Sequence, residues 1–166
     1  MKSKRAQAAG GRGPGRTLIA DARAALASCA GLNARLAARR ISAFLDARLA
    51  DQGLSIAQFG LMTHIAAAED DTLGALAERA GLDQSTLSRN LRTLEQAGLV
   101  EIAAVEKDLR RRAVWLTETG ARRLEAAMPA WRRAQETLAL VVGVEELEKI
   151  AAASAALGPS TASAKI

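Results

Sequence analysis

The feature that most restricts this chain is a change of hydrophobic period at Gly98. Upstream of it, apolar residues recur at helical spacing. Downstream, "LVEIAAVE" (Leu99–Glu106) and "RRRAVWLT" (Arg110–Thr117) lose that spacing and read instead on a two-residue period, Val100 with Ile102 and Val114 with Leu116, and "KDL" lies between them. Two short alternating runs joined by a polar link are the signature of a β-hairpin. From Thr117 onward the helical spacing returns. One hairpin must therefore be set among helices. Aromatic residues are only 2% of the chain and Tyr is absent, so the core has to be aliphatic and helical rather than aromatic and sheet-like.

The helices can be placed from their ends. Thr17 to about Ala50 reads as helical, with Leu32, Leu36, Phe44, Leu45 and Leu49 near one face and Arg35, Arg39 and Arg48 elsewhere; Gly31 is a candidate break and Gly53 an end. "SIAQFGLMTHIAAAE" starts a helix at a Ser55 cap, and "DTLGALAERAG" starts another at an Asp71 cap, stopped by Gly81. Asp83 caps the next helix and Gly98 closes it. Thr117 caps a long helix with an apolar line through Leu124, Met128, Trp131, Leu138 and Val142, Gln135 filling the one missing step. That line reads as a seam awaiting another helix, and Pro129 within it is a candidate kink. A last helix spans about Val144 to Leu157. The expected fold is mainly α with a small β-hairpin wing: a short helix, a Gly turn, a polar helix and a hairpin are the layout of a winged helix-turn-helix.

The polar helix carries the functional argument. On a wheel of about 100° per residue, Leu87, Leu91 and Leu94 form one narrow stripe. Ser85, Arg89, Arg92 and Gln96 fall opposite, flanked by Thr86 and Ser88. Hydroxyls, amides and guanidinium groups are the groups that bond phosphates and base edges. The second helix of a helix-turn-helix enters the major groove by its N-terminal end, where Gln84, Ser85, Thr86, Ser88 and Arg89 lie. The same helix also reads as a solvated surface helix with two arginines. The hairpin favours the first reading, because Lys107, Asp108, Arg110, Arg111 and Arg112 gather at its tip, and a basic tip can lie along the minor groove or the adjacent backbone.

Net charge adds less than it first suggests. The formal charge is +5, yet residues 1–16 contain five Lys and Arg and no acid, and the other 18 basic residues are matched by all 18 acidic ones. The excess belongs to a Gly-rich segment without periodicity, expected to be a disordered basic arm; residues 159–166 are expected to be a tail. The basic start is followed by Asp21 and Arg23, which interrupt any signal-peptide core. With one Cys and no long uncharged apolar run, the chain is expected to be cytoplasmic, without disulfide or membrane span.

"GLSIAQFGLM", "LGALAERAGLDQSTLSRNLRTLEQAGLVE" and "KDLRRRAVWLTETG", in this order and spacing, resemble the MarR family of bacterial winged-helix regulators, the multiple-antibiotic-resistance regulators. The likeness covers roughly Leu32 to Leu157. Asp108 and Arg110, followed by Leu116–Gly120, match a family wing pattern. The resemblance implies a homodimer on a palindromic operator in double-stranded DNA, with a winged core at about 55–117. It also implies dimerisation helices at about 17–51 and 118–157, the whole domain running 17–158. Repression relieved by a small aromatic anion or an oxidant, as in a stress response, is the regulation it implies. A protein-interaction adaptor that kept the fold but lost DNA binding is the rival reading.

Remaining chemistry-bearing residues are few. Cys29, the only thiol, lies about two residues from the position at which one branch of the family senses hydroperoxides. The tyrosines supporting that Cys are missing here, so a buried small hydrophobe is the favoured reading beside a redox thiol. His64, the only His, is a candidate for an effector pocket or a core His, the latter favoured. Phe59-Gly60 stands where urate-responsive relatives have Trp-Asp, which argues against urate. Trp115 and Trp131 read as packing residues. One His and one Cys without a partnered base form no catalytic constellation, and no metal or cofactor is expected.

Overall fold

The structure, a computed structural model, describes residues 15–68, 72–105 and 108–157, with the backbone alone at 15, 16, 105 and 108–111. The chain divides into two units, at Met1–Ile41 and Ser42–Ile166.

The first unit holds helix α1 (Gly15–Ser28) and the N-terminal part of α2 (Ala30–Leu49). The interruption falls at Cys29, not at Gly31 as expected. Side chains explain the shift: Ser28 Oγ donates to the Ala24 carbonyl (2.8 Å) and Asn33 Nδ2 to the Ala27 carbonyl (3.2 Å), competing for the acceptors that a straight helix uses. The backbone bridges the interruption with Cys29 N–H on Ala25 O and Asn33 N–H on Cys29 O. Cys29 is exposed, which corrects the expectation of a buried small hydrophobe. Leu18, Ile19, Leu26, Leu32 and Leu36 are exposed as well.

The second unit starts with the end of α2, where Leu45 and Leu49 are buried, and a 3-10 turn at Ala50–Gln52. Helix α3 (Ile56–Ala66) opens with a complete capping box: Ser55 Oγ accepts from Gln58 N–H, and Gln58 Oε1 accepts from Ser55 N–H. Asp46 reaches from α2 to accept from Ile56 N–H at 2.6 Å. Helix α4 (Leu73–Ala80) is capped by Thr72 rather than by Asp71, which lies outside the described residues. Thr72 forms an isolated antiparallel bridge with Ala113, so the hairpin fixes the backbone where α4 begins. α4 ends at Gly81 (φ 62°), and α5 (Gln84–Gln96) is followed by Gly98 (φ 68°); both glycines take the left-handed conformation that other residues adopt at a cost.

Strands β1 (Val100–Val105) and β2 (Asp108–Leu116) pair antiparallel, from Val100 opposite Leu116 to Ala104 opposite Arg112, with an irregularity at Ala104–Val105. β2 already includes Asp108 and Leu109, which by sequence alone fall in the "KDL" link; Lys107 lies outside the described residues. Helix α6 (Glu118–Val142) runs on through Pro129, and α7 (Val144–Leu157) follows.

The junction of β2 with α6 explains the Leu-Thr-x-x-Gly pattern. Thr117 Oγ1 accepts from Gly120 N–H (3.0 Å) and donates to the Gly98 carbonyl (2.7 Å), while Thr117 N–H bonds to Leu99 O (3.1 Å). Gly120 lies so close that a Cβ there would overlap the Leu99 carbonyl. One hydroxyl thus caps α6 and pins it to the turn after α5.

The seam of α6 is largely filled by the chain's own elements, contrary to the expectation that it awaits another helix. Leu124 and Ala127 are buried in the core with α3, Met128 and Trp131 pack against it, and Trp131 stacks on Phe59 with centroids 5.7 Å apart. Leu138 is buried too. What stays exposed lies beyond that seam: Leu140 (88%), Val141, Val144, Ile150 and Leu157 (86%).

Candidate nucleic-acid interface

Helix α5 is anchored by its leucines. Leu87, Leu91 and Leu94 are at most 1% exposed and share the core with Met62, Leu76 and Val114. With that stripe fixed, geometry turns the remaining side chains outward. Gln84, Ser85, Ser88, Arg89 and Arg92 are exposed and Thr86 is half-buried. Neither Arg89 nor Arg92 is ion-paired with a described residue. The polar face expected from the wheel is therefore a continuous surface with two uncommitted cations.

At the N-terminus of α5 sits a small hydrogen-bonded cluster. Asp83 Oδ1 accepts from Thr86 N–H (2.8 Å) and from Ser85 Oγ (2.7 Å), and Asp83 Oδ2 accepts from Thr86 Oγ1 (2.9 Å). These bonds lower the Asp83 carboxyl from 3.8 to about 2, the Thr86 backbone N–H contributing most and the Ser85 and Thr86 hydroxyls next. A carboxylate accepting several hydrogen bonds is favoured in its charged form. From sequence Asp83 is a cap only; its grip on both neighbouring hydroxyls was missed. The signal was present as Asp-x-Ser-Thr, which places two hydroxyls within reach of one capping carboxylate.

On the wing, Arg112 is exposed on β2. Asp108, Arg110 and Arg111 lie on the same strand toward its tip, described by backbone alone, and Lys107 lies outside the described residues. The hairpin and α5 are adjoining elements joined through Gly98, so strand and helix belong to one surface-bearing unit. His64, in the last turn of α3, is half-buried. A groove walled by Gln52, Arg122 and Arg123 and a smaller one walled by Arg48, Arg133 and Thr137 both lie elsewhere. Cys29 belongs to the other unit. No helix among the described residues is long and apolar enough to cross a membrane, and no group of three or more His, Cys, Asp or Glu among them is arranged to hold a metal ion.

Comparison with known proteins agrees with this geometry. The model of the MarR family matches residues 52–111, which takes in α3, α4, α5 and most of the hairpin. No curated protein sequence matched the chain. Among solved structures, the M. tuberculosis transcriptional regulator MosR in complex with DNA is 31% identical, covering 78% of this chain and 98% of its own, with a TM-score of 0.68. S. aureus MepR, also in complex with DNA, is 22% identical over 77% of this chain and 95% of its own (TM-score 0.66). PcaV of Streptomyces coelicolor, in complex with its natural ligand, is 20% identical over 80% and 93% (TM-score 0.70). With a winged helix-turn-helix at its centre and a likeness to MosR along almost the whole of that regulator, the chain belongs to the MarR family of DNA-binding transcriptional regulators.

Proposed function

We propose that the protein is a cytoplasmic, homodimeric repressor that binds a palindromic operator and is released by a small aromatic ligand or an oxidant. In this reading α5 enters the major groove with Gln84, Ser85, Thr86, Ser88 and Arg89 toward the bases and Arg92 toward phosphate. The wing residues Lys107, Asp108, Arg110, Arg111 and Arg112 lie along the flanking minor groove or backbone. The observation that carries the reading is the exposed α5 face, with two guanidinium groups that form no ion pair among the described residues, on a helix whose leucine stripe is buried. The exposed apolar residues of α6 and α7 support a second copy as their cover. His64 and Cys29 stand as candidates for effector and oxidant response, and no residue is assigned a catalytic role.

The test is binding to the DNA upstream of the protein's own gene. Arg89→Ala should weaken operator binding by about 1–3 kcal/mol and relax sequence preference at one position per half-site. Arg92→Ala should weaken operator and random DNA alike. Both variants should keep the circular dichroism of the parent, since both side chains face away from the core. Undiminished affinity in the double variant would replace this reading with that of an adaptor that does not use α5 on DNA.

A further inference from the structure

A serine or threonine hydroxyl has one hydrogen to donate and two lone pairs to accept with. In α5 both first-turn hydroxyls spend that hydrogen on the same carboxylate: Ser85 Oγ on Asp83 Oδ1 at 2.7 Å and Thr86 Oγ1 on Asp83 Oδ2 at 2.9 Å. An ionised carboxylate only accepts, so the direction of both bonds is fixed. The low carboxyl pKa, about 2, keeps Asp83 ionised at any working pH. Ser85 is exposed and Thr86 half-exposed, so what both offer outward is lone pairs.

That restricts what either hydroxyl can bond on DNA. Phosphate oxygens are acceptors and carry charge of the same sign as Asp83, so a phosphate contact gains nothing there. Among major-groove base edges, adenine N6 and cytosine N4 donate, whereas guanine N7 and O6 and thymine O4 accept. Resting on the reading of α5 as the recognition helix, we propose that Asp83 is a positioning residue that sets Ser85, with Thr86 beside it, to accept from DNA. The strand facing Ser85 is thereby selected for an amino base, adenine or cytosine, over a keto base, guanine or thymine. Guanine recognition falls to Arg89, whose guanidinium only donates.

The experiment is selection from operators randomised at every position, with the full-length parent, Asp83→Asn, Asp83→Ala and Ser85→Ala. Asn is as good an N-cap as Asp, so Asp83→Asn preserves the helix while its amide can donate to a hydroxyl and release that hydroxyl's hydrogen. The parent should show one position per half-site at which adenine and cytosine exceed guanine and thymine by about two- to tenfold, the range of a single hydrogen bond. Ser85→Ala should erase the preference at that position only. Asp83→Asn and Asp83→Ala should erase or invert it there while other positions keep theirs. If the position lost in Ser85→Ala prefers keto bases in the parent, or keeps its amino preference in both Asp83 variants, the proposal is overturned with α5 still reading DNA. If Ser85→Ala changes no position although the parent binds specifically, Ser85 does not read a base and the proposal is likewise overturned. If the parent selects no sequence at all, the DNA-binding reading itself fails.

Discussion

Helices α5 and α7 are nearly the same length, 13 and 14 residues, and their composition misleads about their fates. α5 is crowded with Gln, Ser, Thr, Asn and Arg, yet three of its side chains are among the most deeply buried in the chain. α7 is mostly Ala, Leu, Val and Ile with a charged start, and none of its residues is buried. The difference is one of arrangement. In α5 the apolar residues fall within one narrow stripe that α4 and the hairpin cover, and the positions opposite it are free for polar chemistry. In α7 the apolar residues find little to cover them within the chain. Apolar content that a chain leaves exposed at this density points to another surface, whereas polar content over a buried stripe points to a ligand.

That contrast can be broken by mutation. The largest effect is expected at Leu91, where truncation to Ala leaves a cavity beneath α5. Urea denaturation should show a loss of about 2–5 kcal/mol, and operator binding should fall with it. If Leu91→Ala costs no more than Leu157→Ala, the difference in burial between the two helices has no energetic meaning.

Ile150→Asp places a charge on the exposed apolar face of α7. Circular dichroism should be retained, while light scattering should move from the mass of two chains toward the 17.4 kDa of one. An unchanged mass would release α7 from any role in the dimer and leave the exposed residues of α1 and α2 to account for it.

The smallest effect is the pH response of the α5 cap. Because hydrogen bonds hold the Asp83 carboxyl at about 2 in the folded chain against 3.8, its contribution to stability is complete above the unfolded value. It is lost as the pH falls through the folded one. The melting-temperature difference between the parent and Asp83→Ala should be constant above about pH 5 and shrink as the pH approaches about 2. A difference independent of pH across that window would mean that the bonds to Thr86 and Ser85 do not favour the charged carboxylate.

Much of this architecture is legible in the sequence because it is chemically local. Ser55, Asp83 and Thr117 cap helices, Gly81 and Gly98 end them, and the polar link between two strand-like runs marks the hairpin, all within a few residues of the signal. The misreadings share the opposite property. Asp71 and Thr72 are both suitable caps, and the choice of Thr72 goes with its bridge to Ala113, a partner far along the chain. The apolar line of α6 was visible, but periodicity names a face and not its occupant; Phe59 and the rest of the α3 face fill it from within. Gly31 looked like the break in the first helical stretch, whereas bonds from Ser28 and Asn33 side chains favour Cys29. At the candidate interface, the exposed residues of α5 follow from the leucine stripe. The sharing of one carboxylate by two hydroxyls depends on rotamers that composition does not specify.

The contact of Gly120 with the Leu99 carbonyl, tied off by Thr117 on Gly98, has a mechanical meaning. It joins the first turn of α6 to the backbone directly behind α5 without an intervening side chain that could yield. A helix of 25 residues extends about 37 Å from that joint, and a tilt of about 5° there displaces its far end by about 3 Å. By the same geometry, a displacement of a few ångströms at the Leu138–Val142 end corresponds to a rotation of only a few degrees beside α5. Distance along α6 becomes angular resolution, and the glycine is the bearing on which that conversion turns.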